Sequence, residues 1–149
     1  MAECFKPGIE GRFAINVIEN SNNQLLLLKR HMDTDLGPGL WGFCAGHIEE
    51  NETPEQCSSR ELIEELGEDL ELTLINQIDP VMDRWFGGKF ELYLFHYKYS
   101  CGNISLNHEH TDFCWVSKEQ FRNYDVVDGT DDDIHYLNIW PTDFLNRHK

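Results

Sequence analysis

Apolar positions along the chain fall into short runs that are separated by polar turn segments, a pattern typical of strands joined by loops. Runs rich in aliphatic or aromatic residues predict strands at residues 11–19, 24–30, 41–45, 70–79, 89–100, 103–106 and 113–117. The polar segment 20–23 predicts a turn, and the Gly, Pro and Asp residues of segment 31–40 predict a loop.

The clearest helix is predicted at residues 53–66. Thr53 suits the N-cap, Pro54 the first helical position, and Gln56 completes a capping box with Thr53. Gly67 supplies the stop signal at the carboxyl end. These local signals define both ends of the helix.

Two further helical segments complete the pattern. Residues 118–123 predict one or two helical turns, and residues 132–146 predict a final helix interrupted at Pro141. Strands with few, non-repeating helices indicate an α+β domain with a mixed sheet flanked by helices. The length of 149 residues suits one domain spanning 1–149.

Composition and charge narrow the range of partners. A net charge of −15 argues against a nucleic-acid partner, whose phosphates would be repelled, although it serves solubility equally well. The negative charge does not exclude a small phosphate ligand, because divalent cations can neutralise an acidic site. We find neither a long apolar run nor a secretory profile, so we expect a cytoplasmic protein without a membrane partner. Five cysteines without C-x-x-C spacing predict neither a disulfide framework nor a structural zinc site.

Three carboxylates near the end of the predicted helix carry the candidate chemistry. Glu61, Glu64 and Glu65 are related by i, i+3 and i+4, so they are expected on one helix face. Like charges repel there, and the helix dipole disfavours anions at this end. A bound Mg²⁺ or Mn²⁺ would remove that conflict, because hard cations prefer oxygen ligands. The alternative is a solvated acidic helix face.

The surrounding residues resemble the Nudix box, G-x5-E-x7-R-E-U-x-E-E-x-G-U, where U is aliphatic. The fixed and aliphatic positions are matched by Gly46, Glu52, Arg60, Glu61, Leu62, Glu64, Glu65 and Gly67. At ordinary residue frequencies, a chance match of this kind is roughly one in 10⁹ per window. Only the last position departs, where Glu68 replaces an aliphatic residue, and we expect a local packing change there.

The flanks resemble the family less specifically. In the segment before the box, Cys44 replaces the usual Pro and Ala45 the usual Gly, and an Ala-Gly pair also occurs in members acting on nucleotide sugars. Segment 108–116 is similar to the family's acidic loop before a Trp-Val strand. The resemblance therefore spans about Gly11 to Phe121.

The resemblance implies a Nudix-type α/β/α sandwich with a mixed β-sheet and a catalytic loop-helix-loop packed on the sheet. It implies metal ligands at Glu64, Glu65, Glu61, Glu52 and the backbone carbonyls near Ala45 and Gly46. It also implies a base at Glu61, oriented by Arg60, or at Glu109, for which Asp112 is the competing loop carboxylate.

Substrate contacts are expected from Arg30, at the end of the second strand, and from the aromatic side chains of Trp85, Phe86 and Tyr93. A base can stack on such rings, although alternate residues of the 89–100 strand are also core candidates. Residues 131–133, three successive aspartates, are expected to form a solvated helix start.

The implied activity is Mg²⁺- or Mn²⁺-dependent hydrolysis of a nucleoside diphosphate linked to another group. Nucleoside triphosphates, giving a monophosphate and pyrophosphate, are the first candidates. Nucleotide sugars such as ADP-ribose and dinucleoside polyphosphates are the alternatives. A nucleotide-sensing module would be expected to lose box carboxylates, and a prenyl diphosphate isomerase would need a larger chain. The sequence leaves the oligomeric state open, with a homodimer as one possibility.

Overall fold

The computed structural model describes residues 8–35 and 37–146, which form a mixed sheet with a helix on each face. The strands are β1 (Gly11–Glu19), β2 (Leu25–Arg30), β3 (Trp41–Gly42), β4 (Cys44–His47), β5 (Glu71–Gln77), β6 (Val81–Met82), β7 (Phe90–Cys101) and β8 (His110–Val116). The helices are α1 (Pro54–Leu66), between β4 and β5, and α2 (Thr130–Tyr136), after β8. Short 3₁₀ turns lie at Phe121–Asn123 and Thr142–Phe144.

Strand β1 lies at the centre of the sheet. It runs parallel to β7 from the Gly11–Phe90 pair to the Glu19–Lys98 pair, and every other strand pairing is antiparallel. Its other side is shared by β4 and by the start of β2, which in turn pairs with β3 and β8. The expected mixed sheet is confirmed.

The core has two parts, one on each face of the sheet. On the α1 side the buried apolar residues are Ala14, Ile18, Leu26, Leu28, Cys44, Ile48, Cys57, Leu62, Leu66, Phe95 and Tyr97. On the α2 side they are Val17, Leu25, Leu27, Phe43, Leu94, Val116, Phe121, Val126, Ile134, Leu137, Trp140 and Leu145. Successive strand residues point to opposite faces, so the long strands supply both parts. The α/β/α arrangement expected from the sequence is therefore confirmed.

The strand predicted at residues 103–106 is wrong. Gly102 adopts φ +111, and a β-carbon there would lie 2.2 Å from the Asp69 carbonyl oxygen. After this turn the amide of Ser105 donates to the carbonyl of Leu66 at 2.8 Å. The segment therefore satisfies the end of α1 instead of joining the sheet.

The final helix predicted at residues 132–146 is much shorter than expected. It begins at Thr130 and ends at Tyr136, because Asn138 takes the left-handed conformation with φ +56. The predicted strand at 41–45 is divided into β3 and β4, and β6 was not predicted at all.

The cysteines and the helix lengths concern two other expectations, one on disulfide bonds and one on membrane spans. Cys44 and Cys57 are buried, Cys114 is half-buried and Cys101 is exposed, and all four are free thiols. Cys4 lies outside the described residues. Within the described segments, neither helix combines the length and the apolar character that crossing a membrane requires.

Candidate active site

Helix α1 is placed by its own sequence signals. The Gln56 amide donates to Thr53 Oγ1 at 3.1 Å and the Thr53 amide to Gln56 Oε1 at 2.9 Å, which is the predicted capping box. Gly67 ends the helix with φ +92. Leu62 and Leu66 face the sheet, as expected, and this fixes which side of the helix carries the carboxylates.

The three helix carboxylates differ sharply in exposure. Glu65 is 1% exposed and Glu61 is 7% exposed, whereas the side chain of Glu64 is 47% exposed. The prediction of one shared face is therefore too simple. Glu61 and Glu65, one turn apart, point inward toward the sheet, and Glu64 lies at the solvent side.

Arg60 connects the carboxylates that surround it. Its Nε and Nη2 atoms contact the two oxygens of Glu52 at 2.7 and 3.0 Å, a bidentate pair. Its Nη1 atom lies 2.9 Å from both Glu61 Oε2 and Glu64 Oε2, and Nη2 also donates to the His47 carbonyl at 3.1 Å. The pair with Arg60 lowers the pKa of Glu52 to about 2. The guanidinium therefore holds Glu52 ionised and fixes one oxygen of Glu61.

Strand β4 approaches α1 most closely at Gly46. A β-carbon on this glycine would lie 2.0 Å from the carboxyl carbon of Glu61. A side chain at this position would therefore displace the Glu61 carboxylate, because Glu61 lies directly against the backbone of β4. Ala45 and Gly46 are both half-buried at this contact.

Glu65 is a buried carboxylate without a hydrogen-bond partner on either oxygen among the described residues. His110 Nδ1 lies 3.7 Å from Oε1. Burial, together with the neighbouring Glu61, raises the pKa of Glu65 well above its ordinary value. If this carboxylate ionises, it needs a counter-charge, and a bound cation would supply it.

Oxygen ligands for a hard cation are present around this carboxylate: Glu61, Glu64, Glu52 and the backbone of β4. As the side chains lie, no group of three acidic, His or Cys residues in the described parts of the chain forms a ready metal-binding cluster. Three of the carboxylates converge on Arg60 instead.

Arg30 and Glu109 lie near the same buried carboxylate. Arg30, at the end of β2, has a buried Nε without a partner among the described residues, and burial lowers its pKa while Glu65 and Glu109 oppose that effect. Glu109 is half-buried, held by Asn107 Nδ2 at 3.2 Å, and its charge adds to the rise in the pKa of Glu65. Asp112, the competing loop carboxylate, is exposed on β8.

His110 was not assigned to the site by the sequence. It is buried beside Glu65, and burial together with Arg30 lowers its pKa to about 4, so the ring is neutral at pH 7. In the sequence it lies between the polar residues Glu109 and Thr111, in a predicted acidic loop, so nothing indicated that it would be buried. The structure places it at the start of β8, paired with Arg30, the last residue of β2.

A cavity of about 390 Å³ opens beside Gly46 on the α2 face of the sheet. Its apolar and aromatic walls are formed by Phe13, Ile15, Phe43, Met82, Trp85, Phe86, Phe90, Leu92, Val127 and Tyr136. Arg30, Ala45 and Gly46 also border it. The cavity therefore lies beside the strand residue that contacts Glu61, although none of the α1 carboxylates lines it. Trp85 and Phe86 thus lie where a ligand could contact them.

Tyr93 is not part of this cavity. It lies on the opposite face of the sheet, packed against the core beneath α1, and its hydroxyl donates to Glu91 Oε1 at 2.9 Å. The sequence placed Tyr93 with Trp85 as a base-stacking residue. Strand alternation overturns that expectation, because Leu92 borders the cavity and its neighbour must point away.

The 83–90 loop, which carries Trp85 and Phe86, is organised by a buried aspartate. Asp83 Oδ1 accepts the amides of Trp85 and Phe86 at 3.0 and 2.5 Å, and Oδ2 accepts the amide of Phe90 at 3.0 Å. One side chain therefore closes the loop on itself.

Helix α2 holds the same loop from the other side. Asp132 accepts hydrogen bonds from Arg84 Nε at 2.7 Å, Arg84 Nη2 at 3.0 Å and Trp85 Nε1 at 2.8 Å. The Arg84 guanidinium also lies 4.9 Å from the Trp85 ring centre. Asp132 thereby fixes the aromatic wall.

The predicted solvated helix start at residues 131–133 is wrong, because all three aspartates are buried. Asp133 borders the cavity and is 5% exposed. Burial, followed by the charges of Asp132 and Asp131, raises its pKa well above the ordinary value. Sequence reasoning missed these contacts because the partners of Asp132 are about 47 residues away in the chain.

The site thus combines a mixed sheet between two helices, buried carboxylates on one helix and an aromatic cavity beside them. A sequence model of the NUDIX domain matches residues 11–135. The chain therefore belongs to the Nudix family and is a Nudix pyrophosphohydrolase, and members of that family generally use divalent metals.

Individual relatives agree with this assignment. Nucleoside triphosphatase NudI from Enterobacter sp. (strain 638) is 30% identical over 123 residues, covering 76% of this chain and 86% of the relative. The structure of the MutT protein from Methanosarcina mazei Go1 matches with a TM-score of 0.72 at 21% identity, covering 86% of this chain and 92% of that one.

A third likeness is to a bifunctional NMN adenylyltransferase/ADP ribose pyrophosphatase from Francisella tularensis, in complex with AMP and an Mn ion. Its TM-score is 0.72 at 21% identity, and the match covers 91% of this chain and 42% of that chain. At this level of identity, the two structural likenesses support the fold.

Proposed function

We propose that this protein hydrolyses nucleoside triphosphates to the monophosphate and pyrophosphate with Mg²⁺ or Mn²⁺. The observation that carries the proposal is the contact between Gly46 and Glu61. Gly46 borders the aromatic cavity and Glu61 lies directly against Gly46, so the phosphates of a nucleotide bound in the cavity would extend toward the carboxylates.

Glu65, Glu61, Glu64, Glu52 and the backbone carbonyls of Ala45 and Gly46 would hold the metal. The Glu65 oxygens support this assignment, because they have no hydrogen-bond partner among the described residues and Glu65 is the most buried carboxylate of the group. When bound, a divalent metal neutralises phosphate charge and lowers the pKa of coordinated water.

The remaining side chains would orient and activate the reacting groups. Glu61 is the favoured base because Arg60 fixes one of its oxygens at 2.9 Å and Gly46 leaves the carboxylate at the cavity edge. Glu109 is the second candidate, since it is half-buried near Glu65. Arg30 borders the cavity with an unpartnered Nε, which suits a phosphate oxygen.

The nucleoside would bind between the sheet and the 83–90 loop. Trp85 and Phe86 offer ring faces for the base, and Asp133 offers a buried carboxyl for its polar edge. The cavity volume lies at the small end of the range of about 300–1,000 Å³ that is common for ligand sites. One enclosed nucleoside favours a triphosphate over ADP-ribose-like nucleotide sugars or dinucleoside polyphosphates, whose second half needs more room.

The test is hydrolysis of a panel of nucleoside triphosphates, ADP-ribose and dinucleoside polyphosphates by purified protein with Mg²⁺ or Mn²⁺. A triphosphate that yields pyrophosphate releases phosphate only after inorganic pyrophosphatase is added. ADP-ribose instead yields AMP and ribose phosphate, from which phosphate is released by a phosphatase. The two classes are thus separated in one experiment.

Glu61→Gln keeps the size of the side chain and removes its charge, and we expect it to lower kcat by about 10²–10⁴-fold. Glu68→Gln is the matched control, because Glu68 is exposed outside the cluster. Full activity in Glu61→Gln would show that the base is elsewhere, with Glu109→Gln as the next variant. Tight nucleotide binding without any cleavage would instead support the sensing-module alternative.

A further inference from the structure

A network of polar side chains lies beneath α1, among the buried apolar residues between helix and sheet. Its members are Asn16 on β1, Cys44 on β4, Ser58 on α1 and Tyr97 on β7. All four are buried, and Ser58 is completely so. The reaction described above uses none of these side chains.

Two of the bonds are short, and their directions follow from counting hydrogens. Ser58 Oγ donates to Asn16 Oδ1 at 2.6 Å, which uses its one hydrogen. The Tyr97 hydroxyl lies 2.6 Å from Ser58 Oγ, and it must therefore donate its hydrogen to Ser58. Asn16 Nδ2 in turn donates to the Ser58 carbonyl at 3.3 Å. A side chain of β1 and one of β7 thus converge on one helical residue.

A second contact reaches the helix one turn later. Asn16 Nδ2 lies 3.7 Å from Cys44 Sγ, and Cys44 Sγ donates to the Glu61 carbonyl at 3.5 Å. The carbonyl groups of Ser58 and Glu61 are three residues apart, so they lie next to each other on the same side of the helix. The network therefore contacts α1 at two points, and one of them is the backbone of the favoured base.

Apolar packing alone would leave the helix freer to roll or slide, because hydrophobic contacts are non-directional. Hydrogen bonds depend on distance and angle, and a buried network with all partners in place favours one arrangement. The clearance at the site is small, since Glu61 already touches the backbone at Gly46. A displacement of α1 by a fraction of an ångström would move Glu61 relative to the cavity edge.

We propose that Asn16, Ser58 and Tyr97, extended by Cys44, are positioning residues that set where α1 rests on the sheet. They thereby aim Glu61 and Glu65 at the edge of the cavity. The inference rests on the proposed function for its effect on rate, but the placement of the helix is a separate and measurable property.

The test compares Tyr97→Phe with Tyr99→Phe, two hydroxyl deletions on the same strand and the same sheet face. The Tyr99 hydroxyl donates to the Gly102 carbonyl at 2.6 Å, away from α1. We expect urea unfolding to show comparable losses of stability. Tyr97→Phe should lower kcat at least about tenfold with little change in KM, because a displacement of about 1 Å can reduce rate about 10²-fold. Tyr99→Phe should retain the wild-type kcat.

A second readout does not depend on turnover. In ¹H–¹⁵N spectra of the folded protein, Tyr97→Phe should shift the amides of residues 58–65, whereas Tyr99→Phe should leave them in place. Ser58→Ala removes the same link from the helix side and should shift the same amides. The double variant should lose no more rate than the larger single change, because both act through one chain of bonds.

The proposal is overturned if Tyr97→Phe and Ser58→Ala leave these amides unshifted, or if Tyr99→Phe lowers kcat equally. If the wild-type protein cleaves no diphosphate, the proposed function fails, and the amide shifts alone decide whether the network positions α1.

Discussion

At the scale of single residues, the contact between Gly46 and Glu61 leaves no space for a side chain. Gly46→Ala would place a methyl group 2.0 Å from the Glu61 carboxyl carbon, so Glu61 must move. We expect kcat to fall at least about 10²-fold, since catalytic groups tolerate little displacement. The free energy of unfolding should fall by about 1–3 kcal/mol, the usual effect of overpacking. Steady-state kinetics and urea unfolding measure the two effects.

The neighbouring residue provides the control. Ala45→Gly removes one methyl group from the same strand, whereas Gly46→Ala adds one, and the removal creates no steric overlap. We expect it to change kcat less than about threefold, since such a small-residue exchange has only a backbone effect of roughly 0.5–1 kcal/mol. Equal activity of Gly46→Ala and the wild type would mean that Glu61 does not need the position described above.

The carboxylates themselves could be predicted from the sequence, but their environments could not. The spacing of Glu61, Glu64 and Glu65 fixes their angular separation on a helix, whereas burial depends on what packs there. Strand β4 and His110 cover Glu65, and Glu64 lies beyond them. Tyr93 was misplaced for a related reason. Both faces of β7 are apolar, so the sequence does not show which face meets the cavity.

At the scale of elements, α2 and the 83–90 loop form one wall of the cavity through Asp132. Asp132→Asn replaces a carboxylate that accepts from both Arg84 and Trp85 with a neutral amide. We expect KM for the nucleotide to rise about tenfold with kcat nearly unchanged, because a charge-assisted hydrogen bond contributes about 1.5–3 kcal/mol. Steady-state kinetics on the best substrate of the panel measure both constants.

Asp131→Asn is the matched control, since Asp131 is equally buried on α2 but binds the amide of Asn146 and does not border the cavity. Its effect should appear in stability and not in KM. If both variants raise KM equally, the cause is a general loosening of α2. If neither does, the Asp132 carboxylate does not position the cavity wall for nucleotide binding.

Elements were predictable where their signals are local. Helix α1 was predicted with its bounds because Thr53, Gln56 and Gly67 determine its ends from within the sequence. Residues 103–106 have the composition of a strand, but the amide of Ser105 is used by Leu66, nearly 40 residues earlier. Such a long-range contact has no local signature. The short α2 was missed because the left-handed Asn138, and not Pro141, ends the helical path.

At the scale of the whole molecule, a protein with a net charge of −15 buries a carboxylate that lacks a hydrogen-bond partner among the described residues. Glu65→Gln should therefore raise the thermal midpoint in metal-free buffer, by about 2–4 °C for each kcal/mol relieved in a domain of this size. Mg²⁺ should raise the midpoint of the wild type and change that of Glu65→Gln much less, because ligand binding stabilises only the form that binds. Thermal unfolding with and without Mg²⁺ tests both statements.

The pH dependence of stability, compared between the wild type and Glu65→Gln, tests the same idea independently. Because the pKa of Glu65 is raised in the folded state, the folded protein holds this proton more tightly than the unfolded chain does. Below about pH 4 both states are protonated, and Glu65→Gln should differ little from the wild type. As pH rises above that value, the unfolded chain releases the proton first, so the metal-free wild type should lose stability relative to Glu65→Gln. Glu68→Gln, which removes one exposed charge, should follow the wild type. The opposite result would be a wild type that, without metal, becomes more stable relative to Glu65→Gln as pH rises from 5 to 7. Glu65 would then have a partner in solution, and the argument for a cation at this position would fail.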